Sequence, residues 1–186
     1  MKYNMGCGFN KIDGYINIDK FLEAGPDLLV DLELTPWPIE SNSADEVRFN
    51  HSLEHMGAQS QVFLSIIQEL YRICTHEALI HINVPHPRHD FFIDDPTHVR
   101  IITPNLMALF SKRLNLQWVE DGSSNSPLGR YLNVDFEVID IKMILDEKFA
   151  AMANESNIAS NELLALSRES NNVISEYRII MKALKD

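Results

Sequence analysis

Two glycines and an aspartate are the first residues in this chain whose types and spacing suggest chemistry. Gly6-Cys7-Gly8 follows the apolar stretch Lys2 to Met5, and Asp19 closes a second such stretch, Tyr15 to Ile18. Glycines behind a strand let backbone N–H groups approach a ligand closely. An acidic residue at the next strand end can hold a ribose by its two hydroxyls. The pairing points to a nucleoside cofactor. Its spacing is short: Gly8 and Asp19 stand 11 positions apart, against about 20 after a dinucleotide loop, and the third glycine of that fingerprint is missing. Parallel crossovers ordinarily take about a dozen residues or more, often with a helix. Phe9 to Gly14 cannot hold one, so the first helix is expected to be missing or reduced to a turn. The competing reading is a plain glycine turn between two strands.

A second group of reactive side chains lies further on. In the run from Pro85 to Arg100, polar chemistry is carried by His86, Arg88, His89, Asp90, Asp94, Asp95, His98 and Arg100. Ligands of open α/β sheets bind outside the carboxyl ends of the strands, and this loop leaves such an end. So does the segment Asn50 to His55. His51, His55, His86, His89 and His98 are thereby expected on one rim. An imidazole titrates near neutrality and suits a general base. Arg88 and Arg100 can clamp a carboxylate or phosphate, or pair internally with Asp94 or Asp95. The loop can equally hold itself together through such bonds. His51-Ser52-Leu53-Glu54-His55 also satisfies H-x-x-E-H, an inverted zinc-protease pattern. That chemistry needs both histidines on a stable helix with a third ligand. Here strand-like residues precede His51 and Gly57 follows His55, so a strand exit and a short turn are expected instead. Two histidines and a carboxylate in the 86–98 loop are the better metal alternative.

The elements that must position these residues alternate along the chain. Leu28 to Val30 and Glu46 to Asn50 read as strands, with Pro36 and Pro38 punctuating the loop between them. Gln59 to Cys74 carries apolar residues at helical spacing. Ala78 to Val84 is β-rich. Thr103 caps a helix through about Arg113, with Pro104 at its first position. Leu116 to Val119 reads as a short edge strand. Asn133 to Leu145 and Val173 to Leu184 are long strand-like segments, and the intervening residues are polar and helix-permissive. Strand–helix alternation argues for a mostly parallel, doubly wound α/β sheet.

Read together, residues 2 to 104 resemble class I S-adenosylmethionine (SAM) dependent methyltransferases. Tyr3-Asn4-Met5-Gly6-Cys7-Gly8 looks like their first motif and Ile16-Asn17-Ile18-Asp19 like their second strand. Val30-Asp31-Leu32 with Pro36-Trp37-Pro38-Ile39 resembles the segment carrying an adenine-binding acidic residue. Ala44-Asp45-Glu46-Val47, Ser52-Leu53-Glu54-His55 and Gln68-Glu69-Leu70-Tyr71-Arg72-Ile73 resemble the fourth strand, its turn and the next helix. The chain departs from the pattern at Asn4, where many relatives carry Asp, and at Thr75-His76-Glu77-Ala78, where they carry a Pro-Gly-Gly turn. The resemblance implies a Rossmann-like sheet with its last strand antiparallel. It also implies a SAM site built from Gly6, Cys7, Gly8, Asp19, Lys20, Asp31, Leu32, Asn50 and His51. Within it, Asp19 would hold the ribose and Asp31 the adenine amino group. His86, His89, Asp90 and His98 would surround the transferable methyl, with His89 or His98 as base. No metal ligand is assigned. The implied activity is methyl transfer to oxygen or nitrogen of a small polar molecule or a protein side chain. A non-catalytic SAM-binding or partner-binding protein and a metal-dependent hydrolase are the alternatives.

Composition bounds the rest. A length of 186 residues suits one domain, with 146–172 as a helical insertion between the last two strands that forms a lid, a dimer surface or a loosely packed surface helix. The net charge of −11 argues against a nucleic-acid partner and for a small-molecule or protein acceptor. Two cysteines make no disulfide framework. The apolar runs are short of a membrane span and no signal peptide precedes the first strand, so a cytoplasmic location is expected, with a homodimer as a possible assembly.

Overall fold

The computed structural model describes residues 1–156 and 160–185. Among these residues seven strands form one sheet in the order β3-β2-β1-β4-β5-β7-β6. They are β1 (Lys2–Met5), β2 (Ile16–Asp19), β3 (Leu28–Leu29), β4 (Ala44–Asn50), β5 (Cys74–Pro85), β6 (Phe136–Leu145) and β7 (Ile174–Ala183). The first five are mutually parallel, and β7 runs antiparallel to both β5 and β6. This is the mostly parallel Rossmann-like sheet, with its last strand antiparallel, that the sequence predicts.

Helix α1 (Ser60–Ile73) buries Phe63, Ile66, Ile67, Leu70 and Ile73, the stripe that its apolar spacing dictates. It passes into β5 without a loop, because Cys74 is already extended and pairs with Ala44. The departure at Thr75 to Ala78 is therefore strand. Glu77 sits at φ 63°, and the register against β4 shifts between Ala44 and Glu46. No helix joins β1 to β2. Residues between them form turns, as the short interval requires.

The region after β5 differs from expectation at one element. Leu116 to Val119 is not an edge strand. It belongs to helix α4 (Lys112–Glu120), which follows the short α3 (Pro104–Ala108). Cap chemistry decides it: the Ser111 side chain accepts from the Leu114 backbone N–H, starting a helix where apolar alternation alone suggested β. Thr103 caps α3 by accepting from Leu106, with Pro104 at the first position. The helix predicted through Arg113 breaks after Ala108 and restarts at Lys112.

The two faces of the sheet differ. One carries Tyr3, Met5, Ile18, Val47, Phe49, Ile80, Ile82, Ile179 and Met181, all buried in the core with α1, Phe110, Trp37 and Ile39. The other carries Lys2, Asn4, Asn17, Glu46, Arg48, His81, Asn83, Arg178 and Lys142 in register. Over Asn4 and Asn17 lies the loop after β1: Asn4 Nδ2 donates to the Asn10 carbonyl and to Asn17 Oδ1, each at 3.0 Å. Further along this face Asn50, Lys142 and Arg178 are exposed. Helix α1 covers the apolar side.

A short helix α5 (Leu128–Tyr131) precedes β6, and between β6 and β7 lie α6 (Glu147–Ser156) and α7 (Ser160–Glu169). Positions 157–159 of the expected insertion fall outside the described residues. No described helix is long and apolar enough to cross a membrane.

Candidate functional site

The carboxyl ends of β1, β2, β3 and β4 surround a cavity of about 420 Å³, within the ~300–1,000 Å³ of small-molecule sites. Gly6, Gly8, Asp19, Lys20, Asp31, Leu32 and His51 line it, joined by Phe21, Val30, Glu33, Ser52, His55, Met56 and Thr97. Seven of the nine sequence-predicted cofactor residues thus meet at one space. The other two do not line it. Cys7 is buried, and its backbone N–H donates to the Ile18 carbonyl at 2.9 Å. Asn50 is exposed on the polar face of the sheet, where its Oδ1 accepts from Asn83 Nδ2 at 3.0 Å.

The two glycines have different reasons to be glycine. Both have positive φ, +67° at Gly6 and +49° at Gly8, where a side chain is strained. A Cβ at Gly6 would stand 2.7 Å from Ser52 Cβ, so the protein itself fills that space. A Cβ at Gly8 would meet nothing within 4 Å and would project into open volume. Gly8 is the cleaner cradle position.

Asp19 organises the turn as well as facing the cavity. Its Oδ2 accepts from the Gly8 N–H at 2.8 Å and its Oδ1 from the Phe21 N–H at 2.9 Å. A carboxylate offers about four lone-pair sites, so each oxygen keeps one for a ligand. Asp31 forms an Asx turn, Oδ1 accepting from Glu33 N–H at 3.0 Å. Glu33 in turn accepts from the Gly57 N–H at 2.8 Å, tying the third-strand loop to the turn after β4.

That turn holds the most unusual residues of the rim. His51 is left-handed at φ 51°, a conformation that persists only where surroundings impose it. Its Nε2 lies 2.7 Å from Glu176 Oε2 and its Nδ1 3.7 Å from Glu54 Oε1. The Glu54 carboxylate, aided by Glu176 and against the effect of burial, raises the His51 imidazole above its ordinary pKa. Glu54 is 1% exposed, and among the described residues neither carboxylate oxygen has a hydrogen-bond partner. Residues Leu53–His55 form a single 3-10 turn, so the H-x-x-E-H pattern does not place its histidines on a helix.

The predicted acceptor-side residues separate. His98 comes beside the cavity-lining His55, ring centroids 4.6 Å apart, but does not itself line the cavity. His89 caps α2 (Asp90–Ile93), accepting from the Phe91 N–H at 3.1 Å, while its Nε2 stands 3.3 Å from Asp146 Oδ2. Asp90 accepts from Asn172 Nδ2 at 2.7 Å. His86 accepts from the Arg88 N–H at 3.1 Å and faces a different cavity, of about 660 Å³, with Thr103, Met143, Leu164 and Tyr177. Burial, then the neighbouring His89 and Arg88, lowers its pKa. Neither arginine pairs with Asp94 or Asp95. Arg88 donates to the Ser167 and Arg168 carbonyls, and Arg100 to the Gly57 carbonyl while lying 4.8 Å from the Phe63 ring.

The lining residues beyond the predicted set come from segments that converge only in space. Phe21 directly follows the Asp19-Lys20 pair and is 61% exposed, a signal visible in the sequence as an apolar residue just past the strand end. Thr97 and Met56 carry no such signal.

No family model matches the chain, and no curated protein does. Solved structures do. A SAM-dependent methyltransferase from Archaeoglobus fulgidus aligns over 97% of this chain and 85% of its own, at 18% identity and TM-score 0.61. A SAM-dependent methyltransferase from Methanosarcina mazei aligns over 100% and 92%, at 14% identity and TM-score 0.55. The [4+2]-cyclase SpnF aligns over 100% and 75%, at 14% identity and TM-score 0.54. The chain therefore has a class I SAM-dependent methyltransferase-like fold.

Proposed function

We propose that this chain binds SAM in the 420 Å³ cavity and transfers its methyl group to oxygen or nitrogen of a small polar molecule or a protein side chain. The observation that carries the reading is the meeting of Gly8, Asp19 and Asp31 in that one space, behind three successive strands. Open volume at Gly8 suits close passage of a ligand past the backbone. The spare lone pairs of Asp19 suit the two ribose hydroxyls, and Asp31 suits the adenine amino group. Phe21, Leu32 and Met56 give apolar surface for the base. When bound, SAM supplies an electrophilic methyl on a sulfonium. The protein's share is then mainly to align the acceptor.

A second reading keeps the cofactor and drops the catalysis. It is favoured by the dispersal of His86, His89 and Asp90, each of which has a side-chain polar atom engaged within the protein. A cyclase shares the fold, so fold does not fix the reaction. Calorimetric titration with SAM and its demethylated product tests the common part. Binding should weaken about 10-fold or more in Asp19→Asn, as a charge-assisted hydrogen bond is lost. Wild-type affinity in that variant and in Gly8→Val would refute the site. Transfer of labelled methyl to candidate acceptors separates the two readings.

A further inference from the structure

Glu54 should not be comfortable where it is. Its carboxylate is sealed from solvent at 1% exposure and, among the described residues, both oxygens lack hydrogen bonds. A buried charge without partners is costly. The nearest cationic group with a recorded contact, His51 Nδ1 at 3.7 Å, is too distant for a hydrogen bond. Such a residue asks for a positively charged partner that binds oxygen directly.

Two imidazoles stand beside it. Glu54, His55 and His98 each offer one ligand atom, and the three atoms lie within 4.8 Å of one another. Both rings are held by the nitrogen turned away from a ligand role. His55 Nδ1 is 2.9 Å from Thr97 Oγ1, and that hydroxyl donates to Asp95 Oδ1 at 2.6 Å. The threonine oxygen therefore accepts, and His55 carries its proton on Nδ1. His98 Nδ1 is 2.9 Å from the Phe92 carbonyl, which can only accept. In both rings Nε2 is left without a hydrogen bond among the described residues, the His98 Nε2 standing 3.8 Å from Asp95 Oδ2. An Nδ1–H bonded to a fixed oxygen is the outer-shell arrangement that orients metal-ligating histidines and sharpens their basicity.

We propose that Glu54, His55 and His98 form a binding site for one divalent first-row transition cation, with zinc as its representative. Two imidazoles and a carboxylate select such an ion over magnesium or calcium, which favour all-oxygen shells. Three protein ligands leave at least one coordination position open. His55 and its partner Thr97 also line the 420 Å³ cavity, so the cluster borders the space read above as the cofactor site. The sequence pattern alone misassigns these residues. H-x-x-E-H pairs His51 with His55, whereas the structure pairs His55 and Glu54 with His98 from 43 positions further on.

The test uses the metal-free full chain and needs no SAM, so its failure and that of the cofactor reading are distinguishable. Calorimetric titration with Zn²⁺ should give one equivalent per chain. Glu54→Gln and His98→Ala should each weaken it by about 100-fold or more, while His76→Ala leaves it unchanged. Long-range ¹H–¹⁵N spectra of the wild type should show two of the seven imidazoles losing their free Nε2 signals on addition of Zn²⁺. Co²⁺ should give visible d–d absorption that Zn²⁺ abolishes. The spectra read the unmutated protein, so a variant that fails to fold does not stop the test. Absence of binding at about 1 mM Zn²⁺, or binding that moves imidazole signals other than this pair, overturns the proposal.

Discussion

Phe49 and Arg48 are adjacent in β4, yet Phe49 is sealed at 1% exposure while the Arg48 side chain is 40% exposed. The same contrast repeats at Ile82 and Asn83 in β5, and at Ile179 and Arg178 in β7. Parallel strands covered by helices on both faces usually read as unbroken apolar runs. Here they alternate, because the chain between β1 and β2 is too short for a helix and a turn takes its place. The apolar face is held by packing. The polar face is held by hydrogen bonds and charge. Tyr15 and Glu46 are the clearest case: the Tyr15 hydroxyl donates to Glu46, and Arg48 Nε donates to Tyr15 Oη at 2.8 Å and to Glu46 at 2.9 Å.

If the faces differ in this way, truncations on them should differ in cost. The largest effect is expected at the packed face. Phe49→Ala removes a fully buried ring and should destabilise by about 3–5 kcal/mol in urea unfolding. A loss under about 1 kcal/mol would show the core to be loosely packed. Next comes the polar network under the first turn. Asn17 Oδ1 accepts from the Ile12 N–H at 2.8 Å and from Asn4 Nδ2 at 3.0 Å, and its Nδ2 donates to Asp27 Oδ2 at 2.8 Å. Asn17→Ala strands these groups and should cost about 2–3 kcal/mol. Equal stability would mean that water replaces the side chain without penalty.

Glu46 sharpens the contrast through pH. Burial alone would raise its carboxyl, but hydrogen bonds from Tyr15, Lys2 and Arg48 outweigh this and hold it at about 2. Its folded pKa lies below the unfolded value, so the stabilisation is present above about pH 4.5 and fades as pH falls towards 2. Glu46→Gln should remove about 1–2 kcal/mol at pH 7, after allowance for solvent screening. The gap between variant and wild type should close on acidification; a pH-independent difference would deny the linkage. The smallest effects belong to the exposed outer strands. Lys142→Ala and Arg178→Ala, opposite each other on β6 and β7, should each change stability by about 0.5 kcal/mol or less. A larger loss would reveal that something covers this face.

The sequence by itself determined the mostly parallel α/β class, the missing first helix and most of the cofactor-type cavity. These follow from local rules: glycines at turns, acidic residues at strand ends, and apolar periods read over a few residues. Gly6 and Gly8, Asp19, and Asp31 are legible because they sit at the ends of three successive strands, and parallel strands bring those ends together. Leu116 to Val119 fits either period as a short apolar run, and the Ser111 cap settles it as helix. The rest was decided by tertiary structure. Which neighbours Asn50 and Cys7 face depends on the pleat, since one residue of offset turns a side chain to the other side of the sheet. His86, His89 and His98 leave β5 on one loop, but its fold sends them to a second cavity, a helix cap and the Glu54 cluster in turn. The isolation of Glu54 is beyond any pattern in sequence, because burial is a sum over neighbours contributed by segments remote along the chain.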